Sequence, residues 1–362
     1  MKLNRRNIYV LLVTIFPAHV RGWLHVVPSL YESRMLPWAR ECLLDLMVAR
    51  HGGYESYTAK DPLLSWVRGE MSYPTRYVYA VKNAFVSLPR GRVKAAGYWL
   101  GESFGNPLNA PCEILFLKLF GWISKIRGRT AHLPVNDGGY VYCRCDGYYH
   151  FIAESLVSLL YALKLRPNAS VVVQRTDYDR TAYFRQYIEL LQRNGRIKKV
   201  EIIDADCIVA PELVFASFEP DSGVFCRESA ELLRSALLTT DMSDWRRDHK
   251  IFLTRKGKRQ FENQKELEDT ARQIGYEVVD TDGMSVRDQI LLFYTASEIV
   301  SNHGAGLMNL IYCKSGTKVT ELFSPRWLND CYFRIAYVCG LTYSHLVANG
   351  DGQWGRIPFP LK

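Results

Sequence analysis

The 362-residue chain has no uninterrupted apolar run of the ~20 residues that a bilayer-spanning helix needs. Residues 8–16, behind Lys2, Arg5 and Arg6, begin like a signal peptide, but Pro17, His19 and Arg21 interrupt them and no small-x-small cleavage site follows. They are expected to form a buried first strand. The nine cysteines are odd in number and scattered, so no disulfide framework is implied and a reduced, cytosolic setting is expected. In that setting the sequon Asn168-Ala169-Ser170 carries no meaning. Paired Cys/His finger spacing and an RNP-like aromatic run are both missing, which argues against a nucleic-acid partner. Internal repeats and low-complexity tracts are missing too, which argues against a solenoid or a disordered chain.

The composition that remains, 48% hydrophobic and 23% charged, is that of a folded protein with real cores. The length suits two domains. A net charge of +9 suits an anionic partner such as a phosphorylated substrate or an anionic lipid surface. Residues 23–50 mix Trp23, Trp38, Leu43, Leu44 and Met47 with Arg34, Arg40 and Arg50, the makeup of a membrane-surface segment or of a helix packed on the domain.

The first third of the chain is hard to read beyond a strand at 77–81 and an apolar stretch at 114–123. Periodicity then sharpens. Helices are expected at 150–163, stopped by Pro167, at 182–193, closed by Gly195, and at 228–238. Strands are expected at 170–174, 200–203 and 207–209. Beyond a polar boundary at 241–248, strands at 251–254, 276–279, 298–301 and 318–322 alternate with helices at 264–274, 286–296, 306–313 and 331–338. Such alternation implies a Rossmann-like α/β unit with a parallel sheet. The expected division is an N-terminal domain at 1–243, a Rossmann-like domain at 244–345 and a tail at 346–362.

Open parallel sheets bind ligands beyond the carboxyl ends of their strands, and the chemistry-bearing residues fall there. The strand at 298–301 runs into Asn302-His303-Gly304-Ala305-Gly306, where a helix start and small residues suit a phosphate. His303 is placed to donate to a phosphate oxygen or to line the leaving-group pocket. Thr254-Arg255-Lys256 ends another strand, and arginine binds phosphate bidentately. Glu321 ends a third, where a carboxylate can accept from ribose hydroxyls. A solvated basic turn and a surface carboxylate are the plainer readings of the last two.

Thr254-Arg255-Lys256, Asn263-Gln264-Lys265-Glu266, Gln289, the run from His303 to Asn309, and the run from Gly316 to Glu321 together resemble the C-terminal half of glycosyltransferase family 61. Tyr149-His150-Phe151 with Glu154 resembles that family's upstream histidine motif. The resemblance implies an α/β GT-B architecture of two Rossmann-like domains and an inverting hexosyl- or pentosyltransferase. It further implies a nucleotide-sugar co-substrate, UDP-linked by default, with no cofactor and no divalent metal required. Arg255, Asn263, His303, Gly304, Ala305, Gly306, Asn309 and Glu321 are the donor-binding candidates. The acceptor is expected to be a glycan or lipid-linked glycan of bacterial capsule or surface polysaccharide, with the enzyme in the cytoplasm, peripheral at the inner face of the plasma membrane.

Inversion needs a base for the acceptor hydroxyl. His150 and Glu154, four residues apart, share one helix face, and Asp146 precedes them; these three are the catalytic candidates. Three rivals stand beside this reading. Asp204-Ala205-Asp206 and Asp280-Thr281-Asp282 mimic a metal-diphosphate Asp-x-Asp motif. Cys143, Cys145, Asp146, His150 and Glu154 have zinc-binding side chains. A non-catalytic nucleotide- or glycan-binding protein is the third.

Overall fold

The computed structural model describes residues 37–50, 52–56, 70–73, 75–100, 103, 110–217, 225–239, 248–257, 259–350 and 355–358. The strand expected at 8–16, residues 23–36 of the basic aromatic stretch and the boundary at 241–247 lie outside the described residues.

The first half opens with helix α1 (Pro37–Cys42) and strand β1 (Leu43–Arg50). Residues 43–50 are thus a strand, not part of an amphipathic helix, because they pair antiparallel with β4. A two-stranded ribbon, β2 (Gly53–Ser56) and β3 (Glu70–Tyr73), precedes β4 (Arg76–Ser87), β5 (Arg92–Ala95) and β6 (Tyr98–Trp99). Helix α2 (Ala110–Ile126) follows, then β7 (Thr130–His132) and β8 (Tyr140–Tyr142). The chain continues through α3 (Tyr148–His150), a π-helical turn (Phe151–Leu156) and α4 (Val157–Leu165). β9 (Ser170–Gln174), α5 (Arg175–Arg180), α6 (Ala182–Arg193), β10 (Lys199–Ile203), β11 (Cys207–Ala216) and α7 (Arg227–Leu237) complete this half.

Its nine-stranded sheet has the order β10-β9-β8-β11-β4-β5-β6, with β1 also on β4 and β7 also on β11. β10, β9, β8, β7 and β11 pair in parallel, whereas β4 pairs antiparallel with β11, β1 and β5. The resemblance implied a Rossmann-like first domain; its sheet is mixed, parallel from β10 to β11 and antiparallel around β4. The turns at 88–91 and 96–97 are too short for crossovers, and turns that short join only antiparallel strands.

The second sheet is wholly parallel. It is built from β12 (His249–Leu253), α8 (Gln264–Gln273), β13 (Glu277–Val279), α9 (Val286–Thr295), β14 (Ala296–Asn302), a 3-10 helix (Ala305–Tyr312), β15 (Lys318–Phe323), α10 (Cys331–Val338) and β16 (Thr342–Val347). Its order, β13-β12-β14-β15-β16, is the doubly wound 2-1-3-4-5 arrangement. The order reverses between β12 and β14, so a crevice opens beyond their carboxyl ends. The tail expected from 346 onward is part of this unit: β16 runs to Val347, and Ala348 and Ile357 are buried with Phe252 and Leu322.

Helices fill the space between the sheets. α6 buries Phe184, Tyr187, Ile188 and Leu191 at i, i+3, i+4 and i+7, each stabilising by ~1.5–3 kcal/mol. One buried cluster runs from Val171 and Val214 of the first sheet through Phe151, Leu160 and Tyr312 to Ile299 and Val319 of the second.

Candidate active site

A cleft of about 540 Å³ opens at the order reversal of the second sheet, within the size range of small-molecule sites. Its floor comes from the segments that follow β12, β13 and β14: Thr254 to Lys256, Asp280 to Met284, and Asn302 with Gly304 to Gly306. Its opposite wall comes from the first half, through Tyr148 and the α5–α6 junction at Arg180, Thr181 and Tyr183.

Of the expected donor-site residues, Arg255, Gly304, Ala305 and Gly306 line this cleft. Arg255 lies across the turn, its Nη1 donating to the His303 carbonyl at 3.2 Å. Gly304 makes that possible. A Cβ there would stand 1.8 Å from Arg255 Nη1, whereas one on Gly306 would meet only Thr281 Oγ1, at an ordinary 3.6 Å. The first glycine of the motif is therefore required for the arginine's close approach, and the second is not. Among the described residues Arg255 makes no salt bridge; burial, followed by the nearby Arg259 charge, pulls its pKa down, and the Asp282 charge partly opposes this. A half-buried cation without a salt-bridge partner suits an anionic ligand. The starts of α6 and of the 3-10 helix also open on the cleft, adding positive dipole ends. Asn302, 2% exposed and on the cleft wall, gives its amide nitrogen to Gln264 Oε1 at 2.9 Å. Its Oδ1 is buried with no hydrogen-bond partner among the described residues, so a ligand donor can use it.

Four expected contacts sit behind the wall instead. The Glu321 carboxylate is fully buried; one oxygen takes His303 Nδ1 at 2.5 Å and the other the Tyr343 hydroxyl at 2.5 Å. It orients His303 and does not face a ribose. Burial raises its pKa, and its bonds to His303 oppose that. The His303 ring is turned to Phe323, at 5.3 Å, and Tyr332, at 5.2 Å, so its backbone carbonyl, not its ring, is what serves Arg255. Asn263 brackets the backbone of Ile357, with bonds of 3.0 and 3.1 Å, and ties the C-terminal segment to the start of α8. Asn309 is fully buried, accepts from Tyr148 Oη at 2.7 Å and donates to Gln289 Oε1 at 3.0 Å. Tyr148 and Gln289 form cleft wall, so Asn309 acts through them. Burial holds the Tyr148 phenol well above its ordinary pKa, which keeps it a donor.

The catalytic candidates flank the start of α3, which stands between the two sheets. His150 Nδ1 is 2.7 Å from Glu154 Oε1. The π-turn holding Glu154 widens the helix there, and Ser158 Oγ donates to the Glu154 carbonyl at 2.7 Å. Single π-turns of this kind frequently mark functional sites. The Glu154 hydrogen bond raises the His150 pKa, and with Nδ1 engaged Nε2 remains as the free acceptor on a half-exposed ring. Asp146 is less free: Arg144 holds its carboxylate at 2.5 Å and Tyr183 donates to its carbonyl. An aromatic bridge links the two histidines. The His150 ring meets Tyr149 at 5.4 Å, Tyr149 meets Tyr332 at 5.8 Å, and Tyr332 meets His303.

Tyr148 and the 180–186 segment were missed as cleft residues, although the strand-end rule applied to β9 points to the latter. The Asp-x-Asp rivals separate. Asp204 and Asp206 both pair with Arg129. Asp280 and Asp282 do line the cleft, but Lys256 holds Asp280 at 2.8 Å and, by that hydrogen bond, keeps its carboxyl below the usual range. Burial pushes the Cys143 and Cys145 thiols up, away from the thiolate that zinc needs. No group of three or more possible metal ligands occurs among the described residues.

A doubly wound parallel sheet with an arginine-bearing cleft at its order reversal is the frame of a small-molecule-binding α/β protein, and the His150–Glu154 pair stands outside the residues that line that cleft. Residues 148–320 match the family model described as glycosyltransferase 61. The match covers a little under half of the chain and supports a glycosyltransferase of that family. It begins at Tyr148, the first residue of α3, and ends in β15, so it takes in both histidines and the whole cleft floor. No curated protein matches the chain.

Proposed function

We propose that the chain is an inverting glycosyltransferase of GT-B arrangement, moving a sugar from a nucleotide-sugar donor to a hydroxyl of a glycan or lipid-linked glycan. The supporting observation is Arg255, half-buried without a salt-bridge partner among the described residues and laid over Gly304 where the second sheet's order reverses. The donor diphosphate lies against Arg255 and the two helix starts. The acceptor hydroxyl gives its proton to His150 Nε2 as its oxygen bonds to the anomeric carbon. The bond from that carbon to the diphosphate breaks, and its electron pair leaves on the phosphate oxygen, where Arg255 stabilises it. Glu154 fixes the ring and stabilises the imidazolium. Because Lys256 already pairs with Asp280, the proposed reaction is drawn without a divalent cation. Surface polysaccharide synthesis at the cytoplasmic face of a membrane is the setting this activity fits, with domains divided near 243.

A panel of nucleotide sugars, assayed for transfer and hydrolysis with and without excess chelator, tests the reading. Turnover of one donor, unchanged by chelator, is expected. Binding without turnover would leave a non-catalytic nucleotide-binding protein, and chelator-sensitive turnover would favour the Asp280–Asp282 metal reading.

A further inference from the structure

Helix α2 is apolar around most of its circumference. Ile114 and Leu117 are buried against Trp99 and Phe85, and Gly121 lies against the Phe85 ring. Away from that packed side, Phe116, Leu119, Trp122 and Ile126 recur at three- and four-residue steps and therefore share a stripe. All four are exposed, Trp122 at 62% and Ile126 at 66%. A stripe of this kind on an apolar helix marks a surface that something covers.

The charges around it identify the cover. Lys118 and Lys125 are exposed along one flank, and Arg127 is exposed just beyond the helix end. Arg90 stacks over Phe116, with its guanidinium 5.7 Å from the ring centre. The helix has a single acid, Glu113, and Arg92 engages it at 2.8 Å near the packed side. Pairing with a second copy of the same stripe would set like cations against one another. An anionic surface would complement Lys125, Arg127 and Arg90 while taking up the tryptophan and aliphatic side chains.

We propose that the exposed face of α2 docks the protein on an anionic lipid bilayer, with Phe116, Leu119, Trp122 and Ile126 at the acyl boundary and Lys125 and Arg127 at the headgroups. The inference stands independently of the glycosyltransferase reading, and its test needs no turnover. Full-length protein is floated with vesicles of phosphatidylcholine alone or mixed with phosphatidylglycerol. Binding to the mixed vesicles, weakened by salt and by omitting phosphatidylglycerol, is expected. Leu119→Glu/Trp122→Glu is expected to lower partitioning at least ~10-fold. Lys125→Glu/Arg127→Glu should lower it on mixed vesicles only. Circular-dichroism melts of both variants should match the parent, because the substituted side chains are exposed. Failure of the parent to float, or equal flotation of the Leu119/Trp122 variant, overturns the proposal. So does a parent dimer in light scattering that Trp122→Glu dissociates without any lipid binding; that result would assign the face to a second copy.

Discussion

His303–Glu321 and His150–Glu154 are the same pair of side chains in two settings, joined by one aromatic bridge. Glu321 is fully buried, its second oxygen satisfied by Tyr343, and the His303 ring is enclosed by Phe323 and Tyr332. Glu154 sits on a widened helical turn, and the His150 ring is half open to solvent. A buried pair whose carboxylate is satisfied at both oxygens serves position: it fixes the strand end whose carbonyl holds Arg255. A half-open pair keeps one ring nitrogen for a proton. On the proposed reading, this contrast matches donor binding on the second sheet and proton transfer in the first half.

The largest expected effect breaks the buried pair. Glu321→Ala strands the His303 Nδ1 and the Tyr343 hydroxyl, and should cost ~3–5 kcal/mol in urea denaturation. Glu154→Ala, at the open pair, should cost under ~1 kcal/mol. Equal losses would erase the distinction between the two settings.

Next come the two glycines. Gly304→Ala should displace Arg255 and weaken donor binding ~10- to 100-fold, with little change in stability because a flexible side-chain end gives way. Gly306→Ala should stay within ~2-fold, since its Cβ meets only an ordinary contact. Donor titration of both variants checks this, and the reverse ranking would remove Arg255 from the site.

A subtler change concerns pH. Glu154 raises the His150 pKa, so His150 must lose its proton above its ordinary ~6.5 before acting as base. Glu154→Gln removes the largest cause of that rise. The acid limb of the pH profile of kcat/KM should move to lower pH, with a lower plateau. An unmoved limb would mean that another group is the base.

The smallest effect is on stability. A folded-state pKa raised above the unfolded value contributes stability that is fully present below ~6.5 and is lost as pH rises through the raised folded value. His150→Gln should therefore lower stability modestly, by under ~1 kcal/mol, at pH 5.5–6 and hardly at all near pH 9. Denaturation at the two pH values measures it.

How much was legible in the sequence follows the same division. The second sheet reads easily because its buried parallel strands carry short apolar runs, such as residues 251–253 and 299–300, separated by periodic helices. Its last strand, β16, escaped because Thr342, Ser344 and His345 dilute the pattern on an edge strand. β11 reads as ending at Val209 because Pro211 follows, yet pairing with β4 resumes at Glu212. The mixed order of the first sheet was hidden because antiparallel and parallel edges look alike in short apolar runs. In the site, strand-end position located Arg255 and the turn at 304–306. It could not separate residues that face the cleft from those one layer behind, so Glu321, Asn263 and Asn309 read as ligands although their partners are His303, Ile357 and Tyr148. The π-turn left no sequence signal at all.

The most direct test of the central claim is calorimetric titration of the full chain and of Arg255→Ala with a series of nucleotide diphosphates and their sugar conjugates. Saturable binding of one nucleotide series by the parent, weakened ~10- to 100-fold in the variant with the fold intact, is the expected result. Equal binding by the two proteins, or no binding by either, would contradict the placement of the donor diphosphate over Gly304.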